Sequence, residues 1–367
     1  MSRARDFANL AGAADAGTLS GDSLIINGDM SIWQRGTTID TIANGGYLCD
    51  RWRIAHSGLD GNVDVDRSTD VPSGQGFKYS QKISTDAAED SLDAADQLNL
   101  QQRFEGQNLQ HILKGTPSAK SLTLSFWVKS SVASTYSVNL RDNDNTRIIG
   151  GTYVINTADT WEKKTITFAG DTSGTLDDDN DRSLDLAFYI DAGSDRTDGT
   201  FATSWAAQSD DERVYDTTGW LENTSSREWY ITGVKLEVGS TATPFKHESY
   251  AENLNKCHRY YVQRYPGNQA IIATAMAYGA SAAYCELDFP VEMRAVPSVT
   301  FTSTASHWEF RNRGTADRTN SGAPGGAAAS KWSCRIDMAL ASSTTDGAAG
   351  WIEANNANAY YYINAEL

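Results

Sequence analysis

Apolar and polar residues alternate along most of this chain, as they do in strands that turn one face toward a core. In residues 122–129, leucine, phenylalanine and valine occupy every second position, with polar residues and one tryptophan between them. Residues 98–104 repeat this period and predict a sheet with one solvent-exposed face. Polar turns separate eight or nine such segments, which predicts an antiparallel jelly-roll β-sandwich over residues 24–245.

The period changes to a helical one near residue 246. Tyr250, Leu254, Cys257 and Tyr261 share one face of a helix, and Pro266 and Gly267 follow it. This spacing predicts a short linker helix within residues 246–266. Strand-like segments then return, and they predict a second, smaller C-terminal β-domain at 267–367, with strands at 270–278, 282–289, 298–303, 308–311, 332–341 and 359–367.

Several short motifs of this chain occur in a fixed order. They are INGDMSIWQRG at 26–36, DRW at 50–52, LTLSFWVKS at 122–130, DTWEK at 159–163, ITGVKLEVGS at 231–240 and CHRYY at 257–261. Together they resemble a β-sandwich domain of bacteriophage tail-fibre and virion-attachment proteins, a domain similar to carbohydrate-binding modules. FPVEMRAVP at 289–297 resembles a phrase of phage-fibre tip domains. The resemblance implies a structural protein of a virion appendage, most simply a tail fibre, that contacts a host cell surface.

The resemblance also implies partners for the two ends of the chain. Residues 1–23 are poor in large apolar groups and cannot form a core of their own. We expect them to anchor the protein to other virion proteins through Arg3, Arg5, Phe7 and Leu10; the alternative is a disordered leader. The C-terminal domain is expected to contact host glycan or protein and, with its small side chains, to assemble the chain as a homotrimer.

Charge and cysteine content exclude several classes of protein. The net charge of −16 argues against nucleic acid or an anionic membrane as the main partner. No apolar run is long enough for a membrane span, and the first residues lack the apolar core of a signal peptide. We therefore expect assembly in the host cytoplasm and residence in the virion. The four cysteines are widely spaced and contain no CxxC pair, so we expect buried thiols.

Seven aromatic residues of the long connection and of the last domain are the candidate glycan-binding residues. Flat rings stack on sugar faces while nearby polar groups bind hydroxyls. A long polar connection at 192–226 carries two of these rings and the C-terminal domain carries the others. The candidates are Trp205, Trp220, Trp308, Trp351, Tyr360, Tyr361 and Tyr362. For each of them, packing in a core is the alternative.

The sequence contains no motif of a known catalytic type. There is no GxSxG elbow, no HExxH and no metal-ligand spacing among the histidines, so we expect no enzymatic activity and no cofactor. A polysaccharide depolymerase or esterase on the same scaffold is one alternative, and a purely architectural head fibre or tail adaptor is another. Structural calcium is a further option at two acidic loops, whose carboxylates are Asp142, Asp144, Asp177, Asp179 and Asp181.

Overall fold

The computed structural model describes residues 21–89, 91–222, 227–312, 322–341 and 344–367, and these residues form two compact units. The first unit extends to Asn253, and the second comprises Leu254–Glu366. Both units are built from antiparallel strands. The fold is therefore all-β, as the alternation predicts.

The first unit is a jelly-roll β-sandwich. Its strands are β1 (Thr38–Ile39), β2 (Arg53–Ser57), β3 (Val63–Ser68), β4 (Ser80–Thr85), β5 (Gln97–Glu105), β6 (Leu122–Ser130), β7 (Thr135–Asp142), β8 (Arg147–Val154), β9 (Glu162–Phe168), β10 (Arg182–Ala192), β11 (Ala206–Ala207) and β12 (Glu228–Val238). A first sheet has the order β1-β3-β4-β12-β6-β9, and a second has the order β11-β8-β7-β10-β5-β2. A one-turn helix, α1 (Ser194–Thr197), follows β10, and short 3-10 turns occupy Gly106–Asn108, Gln110–Ile112 and Asp210–Glu212.

Aromatic side chains join the two sheets. Phe188 of β10 in the second sheet has its ring centroid 5.0 Å from that of Phe126 in β6 of the first sheet. The rings of Trp229 and Trp52 lie 6.3 and 6.4 Å from Phe188. All four side chains are fully buried. Because rings of this size each bury a large apolar area, this cluster is the centre of the core.

Hydrogen bonds of Asn27 hold together two tryptophan-bearing segments near the start of the described chain. The buried Asn27 side chain donates to the carbonyl oxygens of Ile32 and Asp50, at 3.0 Å each, and accepts from the backbone N–H groups of Ser31 and Ile32. Trp52 Nε1 donates to the Asn27 carbonyl oxygen at 3.0 Å. Asn27 has a φ of 59°, which asparagine tolerates better than most residues. Residues 26–36 and 50–52 are therefore neighbours in space.

The second unit contains the remaining strands and the larger part of one helix. They are α2 (Tyr250–His258), β13 (Tyr261–Arg264), β14 (Ile271–Tyr278), β15 (Ala282–Asp288), β16 (Ser298–Phe301), β17 (Trp308–Asn312), β18 (Gly325–Ala327), β19 (Ser333–Ala339), β20 (Ala349–Ala354) and β21 (Tyr361–Asn364), with a 3-10 turn at Ala305–His307. A three-stranded sheet has the order β13-β21-β16, and a six-stranded sheet has the order β17-β20-β14-β15-β19-β18. The helix α2 begins within the last residues of the first unit.

The structure corrects the prediction for the linker helix. The helix ends at His258, and Tyr261 begins a strand that pairs with β21. Tyr250, which the helical period placed on the apolar face, is 64 % exposed, whereas Asn253 and Cys257 are buried. The aromatic and β-branched residues Tyr261 and Val262 favour the extended conformation here because a partner strand is available.

Two further predictions are corrected by the structure. The outer side of β5 is not a wet face, because Asn99 and Gln101 are only 1 % and 4 % exposed. In the second unit, β18 and β20 were not predicted, since both segments are rich in glycine and alanine and show no clear alternation.

The four cysteines are buried and free, as expected. Within the described ranges, no helix is long and apolar enough to cross a bilayer.

We predict that replacing the central ring will strongly destabilise the sandwich. Phe188→Ala would leave a cavity between the two sheets, and we expect the free energy of unfolding to fall by about 3–5 kcal/mol. Urea denaturation followed by tryptophan fluorescence measures this change. Val154→Ala is the matched control, since Val154 is 47 % exposed at the end of β8; equal effects of the two substitutions would contradict the assignment of Phe188 to the core.

Candidate functional site: an arginine-lined pocket

The outer face of the second sheet is defined by the residues that alternate with the core. In β10, Leu184, Leu186 and Phe188 belong to the buried cluster between the sheets. Asp185, Ala187 and Tyr189 therefore lie on the opposite face, because successive side chains in a strand point to opposite sides. Polar residues of this strand are placed outward by the packing of their apolar neighbours.

Strand register brings polar residues of four strands together on this face. Asp185 is paired with Arg103 of β5 on one side and with Arg141 of β7 on the other. In β2, Arg53 is paired with Gln101 of β5. The residues come from segments that lie far apart in the sequence, and only the pairing of the strands makes them neighbours.

The connection at 193–222 covers part of the outer face. Val214 packs with Ala187 and Tyr189 in a small apolar cluster, and the Arg213 carbonyl oxygen accepts a hydrogen bond from Asn139 Nδ2 at 3.0 Å. A Cβ atom on Gly150 of β8 would lie 2.4 Å from the Phe201 ring, so glycine is required there for the ring to approach. The connection is thus a packed cover and not a loose loop.

A pocket of about 210 Å³ lies beside this cover. Its floor is formed by the outer faces of β2 and β5, and guanidinium groups from five arginines surround it. The lining residues are Asn44, Arg53, Ala55, Gln97, Asn99, Gln101, Arg103, Arg141, Arg182 and Arg213. No lining residue is acidic, although the chain as a whole carries a net charge of −16.

A buried carboxylate fixes two of these arginines. Asp185, whose side chain is fully buried, accepts from a terminal guanidinium nitrogen of Arg141 at 3.0 Å and from Arg182 Nε at 2.7 Å. Burial by itself would lower the pKa of Arg182, but its hydrogen bonds to Asp185 outweigh this effect and raise it. Asp185 therefore holds both guanidinium groups in place at one wall of the pocket.

Side-chain amides form a ladder along β5. Gln101 Nε2 donates to Asn99 Oδ1 at 2.5 Å, and Asn99 Nδ2 lies 3.5 Å from Gln97 Oε1. Arg53 donates to Gln101 Oε1 at 3.1 Å. The ladder orients Arg53 through a neutral acceptor, and its members present both donors and acceptors along the floor of the pocket.

Burial and neighbouring arginines lower the pKa values of two arginines of the pocket. Burial, followed by the nearby charges of Arg182 and Arg53, lowers the pKa of Arg103 to about 10. Burial likewise lowers the pKa of Arg53, and Arg182 and Arg141 add to that effect. Like charges are thus held close together in a partly desolvated space, where Asp185 and the hydrogen bond from Arg103 to the Leu367 carbonyl oxygen at 2.6 Å offset part of the repulsion.

Several buried polar atoms on this face have no protein partner among the described residues. They are Nε of Arg103, Nε of Arg141, Nε of Arg213, Oδ1 of Asn139 and the hydroxyl oxygen of Tyr189. A buried polar atom without a partner costs about 1–3 kcal/mol. Three of these atoms belong to arginines that line the pocket, so the outer face has unused hydrogen-bonding capacity beside it.

The structure removes two of the predicted aromatic platforms. Trp220 and Trp308 are both fully buried, each in the core of its own unit, so neither can stack on a ligand. Trp205 is half-buried, donates from Nε1 to the Ala169 carbonyl oxygen at 2.7 Å, and has the Lys114 ammonium 5.1 Å from its ring centroid. All three side chains stabilise their own unit, because burial of a large aromatic ring removes much apolar surface from water.

The other predicted aromatic residues are half-buried in the second unit. Tyr361 stacks on Phe301 with ring centroids 5.3 Å apart, and Trp351 Nε1 donates to Glu353 Oε2 at 2.7 Å. Tyr360 and Tyr362 flank Tyr361 in and beside β21. Glycan contact by these residues stays a prediction. The proposed anchor residues Arg3, Arg5, Phe7 and Leu10 lie outside the described residues.

Of the predicted calcium ligands, Asp142 lies in a buried ion pair, whereas Asp144 and Asp179 accept hydrogen bonds from backbone N–H groups. Asp142 is fully buried and forms an ion pair with Lys114, whose ammonium also lies 3.0 Å from Asp171. Asp144 accepts from the Asp177 backbone N–H at 3.0 Å, and burial raises the pKa of its carboxyl. Asp179 accepts from the Asp181 backbone N–H at 2.9 Å. In the part of the chain that the structure describes, no group of three or more His, Cys, Asp or Glu residues is arranged to hold a metal ion.

Sequence analysis missed the arginine pocket. The available signal was that Asn99, Gln101 and Arg103 alternate with the apolar residues of β5 and so share one face. That pattern is typical of an ordinary solvated strand, and it does not reveal which other strands contribute arginines.

Comparisons with known proteins give similarities at low sequence identity. No protein-family model matches the chain, and no curated protein matches it. Among solved structures, the enzymatically active domain of tailspike protein 4 of bacteriophage CBA120 matches over 55 % of this chain and 21 % of its own, with 14 % identity and a TM-score of 0.29. A putative sugar-binding protein of Bacteroides thetaiotaomicron matches over 59 % of this chain and 100 % of its own, with 14 % identity and a TM-score of 0.33. The family 11 carbohydrate-binding module of a Clostridium thermocellum cellulase matches over 56 % of this chain and 99 % of its own, with 15 % identity and a TM-score of 0.29.

We predict that Lys114 is required for the stability of the sandwich. Lys114→Met keeps much of the aliphatic stem but leaves the buried Asp142 carboxylate without its cation, so the free energy of unfolding should fall by about 3–5 kcal/mol. Chemical denaturation measures the change. Lys120→Met is the control because Lys120 is exposed, and it should change stability by no more than about 0.5 kcal/mol. A stable Lys114→Met protein would show that the ion pair is dispensable.

Proposed function

We propose that this protein is a non-enzymatic structural component of a bacteriophage virion, most simply a tail fibre, whose jelly-roll unit binds host-surface glycan in the arginine-lined pocket. The observation that carries the proposal is the pocket itself. It combines guanidinium groups, an amide ladder and unpaired buried polar atoms on the outer face of a β-sandwich. The motifs at 26–36, 50–52, 122–130 and 231–240 support the virion role through their resemblance to phage attachment proteins.

The chemistry of the pocket suits a sugar. Sugar hydroxyls both donate and accept hydrogen bonds, and the side-chain amides of Gln97, Asn99 and Gln101 offer both functions at fixed positions. Buried polar groups discriminate strongly, because a ligand that fails to pair with them leaves them desolvated. The volume of 210 Å³ is below the range of about 300–1,000 Å³ that is usual for drug-sized ligands, so the pocket suits a short part of a glycan chain.

The lining residues favour binding over catalysis. Glycoside hydrolysis ordinarily uses two carboxylates about 5–10 Å apart. None of the described lining residues carries a carboxylate, and the nearby Asp185 is held by two arginines. These contacts support a binding role rather than a depolymerase or an esterase.

We further propose that the chain is a homotrimer and that its N-terminal segment docks on other virion proteins. Support for self-association comes from the second unit, where Ile271, Met276, Tyr278 and Trp332 are each more than half exposed. Apolar side chains in that number on one small unit favour burial against another chain. Several glycan sites on one particle would then raise the overall affinity by avidity.

Glycan binding is tested with the purified full chain on a glycan array and on host envelope polysaccharide. We expect binding by the unmutated protein and at least a tenfold loss in Gln101→Leu, which removes a pair of buried hydrogen-bonding groups. Gln75→Leu is the control because Gln75 is exposed and remote from the pocket lining. Binding that is unchanged in Gln101→Leu would place the site elsewhere. Absence of all glycan binding would favour the purely architectural alternative, and shortened polysaccharide chains after incubation would favour the depolymerase.

The oligomeric state is tested by light scattering on the protein as it elutes from a sizing column. We expect a mass three times that of the chain. Substituting Met276→Ser and Tyr278→Ser together should lower that mass if the exposed side chains of β14 are buried between copies. A native mass equal to one chain would contradict the trimer.

A further inference from the structure

The arginine-lined pocket has more positive charge than a neutral ligand needs. Asp185 carries one negative charge but accepts hydrogen bonds from two guanidinium groups, those of Arg141 and Arg182. Arg53 adds a further positive charge, and its hydrogen-bond acceptor in the protein, Gln101 Oε1, is neutral. The described side chains around Arg53, Arg141 and Arg182 therefore leave an excess of positive charge at one wall.

We propose that the pocket is specific for an acidic sugar and that Arg53 and Arg141 bind the anionic group of its glycan; this inference rests on the proposed glycan-binding function. A planar guanidinium group presents paired N–H donors that match the two oxygens of a carboxylate. The class of ligand is thus a uronic or similar acid-bearing residue of a host-surface polysaccharide. Sulfated or phosphorylated sugars share the negative charge and are separated from carboxylates by the test below.

The overall charge of the chain makes this local arrangement specific. A surface with a net charge of −16 repels a polyanionic glycan over most of its area. The five arginines of the pocket, whose charges Asp185 and Asp210 offset only in part, create a local positive site in that field. An acidic glycan would therefore be accepted at this site and disfavoured elsewhere, so charge sets where on the protein it binds.

Burial strengthens the preference for an anion. Arg141 is 6 % exposed, and its Nε has no protein partner in the described structure. Charges interact more strongly where water is excluded. A neutral sugar that entered would cover these cations without balancing them, whereas an anionic sugar would supply both the charge and the missing acceptor.

The cover at 193–222 contributes the third side of the pocket. Arg213 lines it and forms an ion pair with Asp210 at 2.5 Å, and Arg196 shares the same carboxylate at 3.7 Å. Arg213 therefore has a protein carboxylate beside it, whereas the protein acceptor of Arg53 is the neutral Gln101 Oε1.

The test measures binding of the full chain to pairs of glycans that differ only in charge. The first pair is oligogalacturonate and its methyl ester. The second pair is a sialylated glycan and its desialylated form, and the third is a sulfated galactan and its unsulfated form. We expect each bound carboxylated glycan to bind at least tenfold more tightly than its neutral partner, with affinity falling as NaCl is raised. Preferential binding of the sulfated member alone would overturn the assignment to a carboxylate.

Variants connect the preference to the pocket. Arg53→Gln should abolish most of the difference in affinity between acidic and neutral glycans, and Arg53→Lys should keep part of it. Arg335→Gln is the control, because Arg335 is an exposed residue of the second unit, and it should leave the difference unchanged. Thermal unfolding checks that each variant is folded, and the NaCl dependence of the unmutated protein gives an answer without any substitution. Equal binding of both members of every pair, or an unchanged preference in folded Arg53→Gln, would overturn the inference while leaving glycan binding intact. Absence of binding to any glycan would instead overturn the proposed function.

Discussion

The contact of Phe188 with Phe126 across the sandwich determines the rest of the first unit. It brings the two sheets together and fixes which residues of β10 point into the core. Since alternate residues of a strand must then point the other way, Asp185, Ala187 and Tyr189 are assigned to the outer face. The position of the arginine pocket is therefore a direct consequence of how the core packs.

Buried charges in this unit are organised in two different ways. Lys114 lies between Asp142 and Asp171, and Arg147 also pairs with Asp171, so two cations are matched by two anions. Asp185 lies between Arg141 and Arg182, so one anion holds two cations. A buried charge is tolerated only when it is paired and hydrogen-bonded. The first network balances its own charges, whereas the second lies beside a pocket and leaves positive charge available to a ligand.

The connection at 193–222 covers part of the outer face of the second sheet. It packs on that face through Val214 and Phe201 and so reduces the access of water. Hydrogen bonds formed next to such a cover are stronger than those on an open surface, because competition from water is reduced. A modest site of this kind suits a repeated appendage, in which many copies supply the overall affinity.

The sequence by itself determined the class of fold and the existence of most strands, because a period of two fixes which side chains of a strand share a face. It also placed Asn99, Gln101 and Arg103 on one side of β5. It could not determine the register that brings Arg53 and Arg141 to that side, nor which of the candidate aromatic residues, such as Trp220 and Trp308, are buried in a core. Register and burial depend on contacts between residues far apart in the chain, and local patterns carry no information about them. Only the tertiary structure turned an apparently ordinary polar strand into the floor of a positively charged pocket.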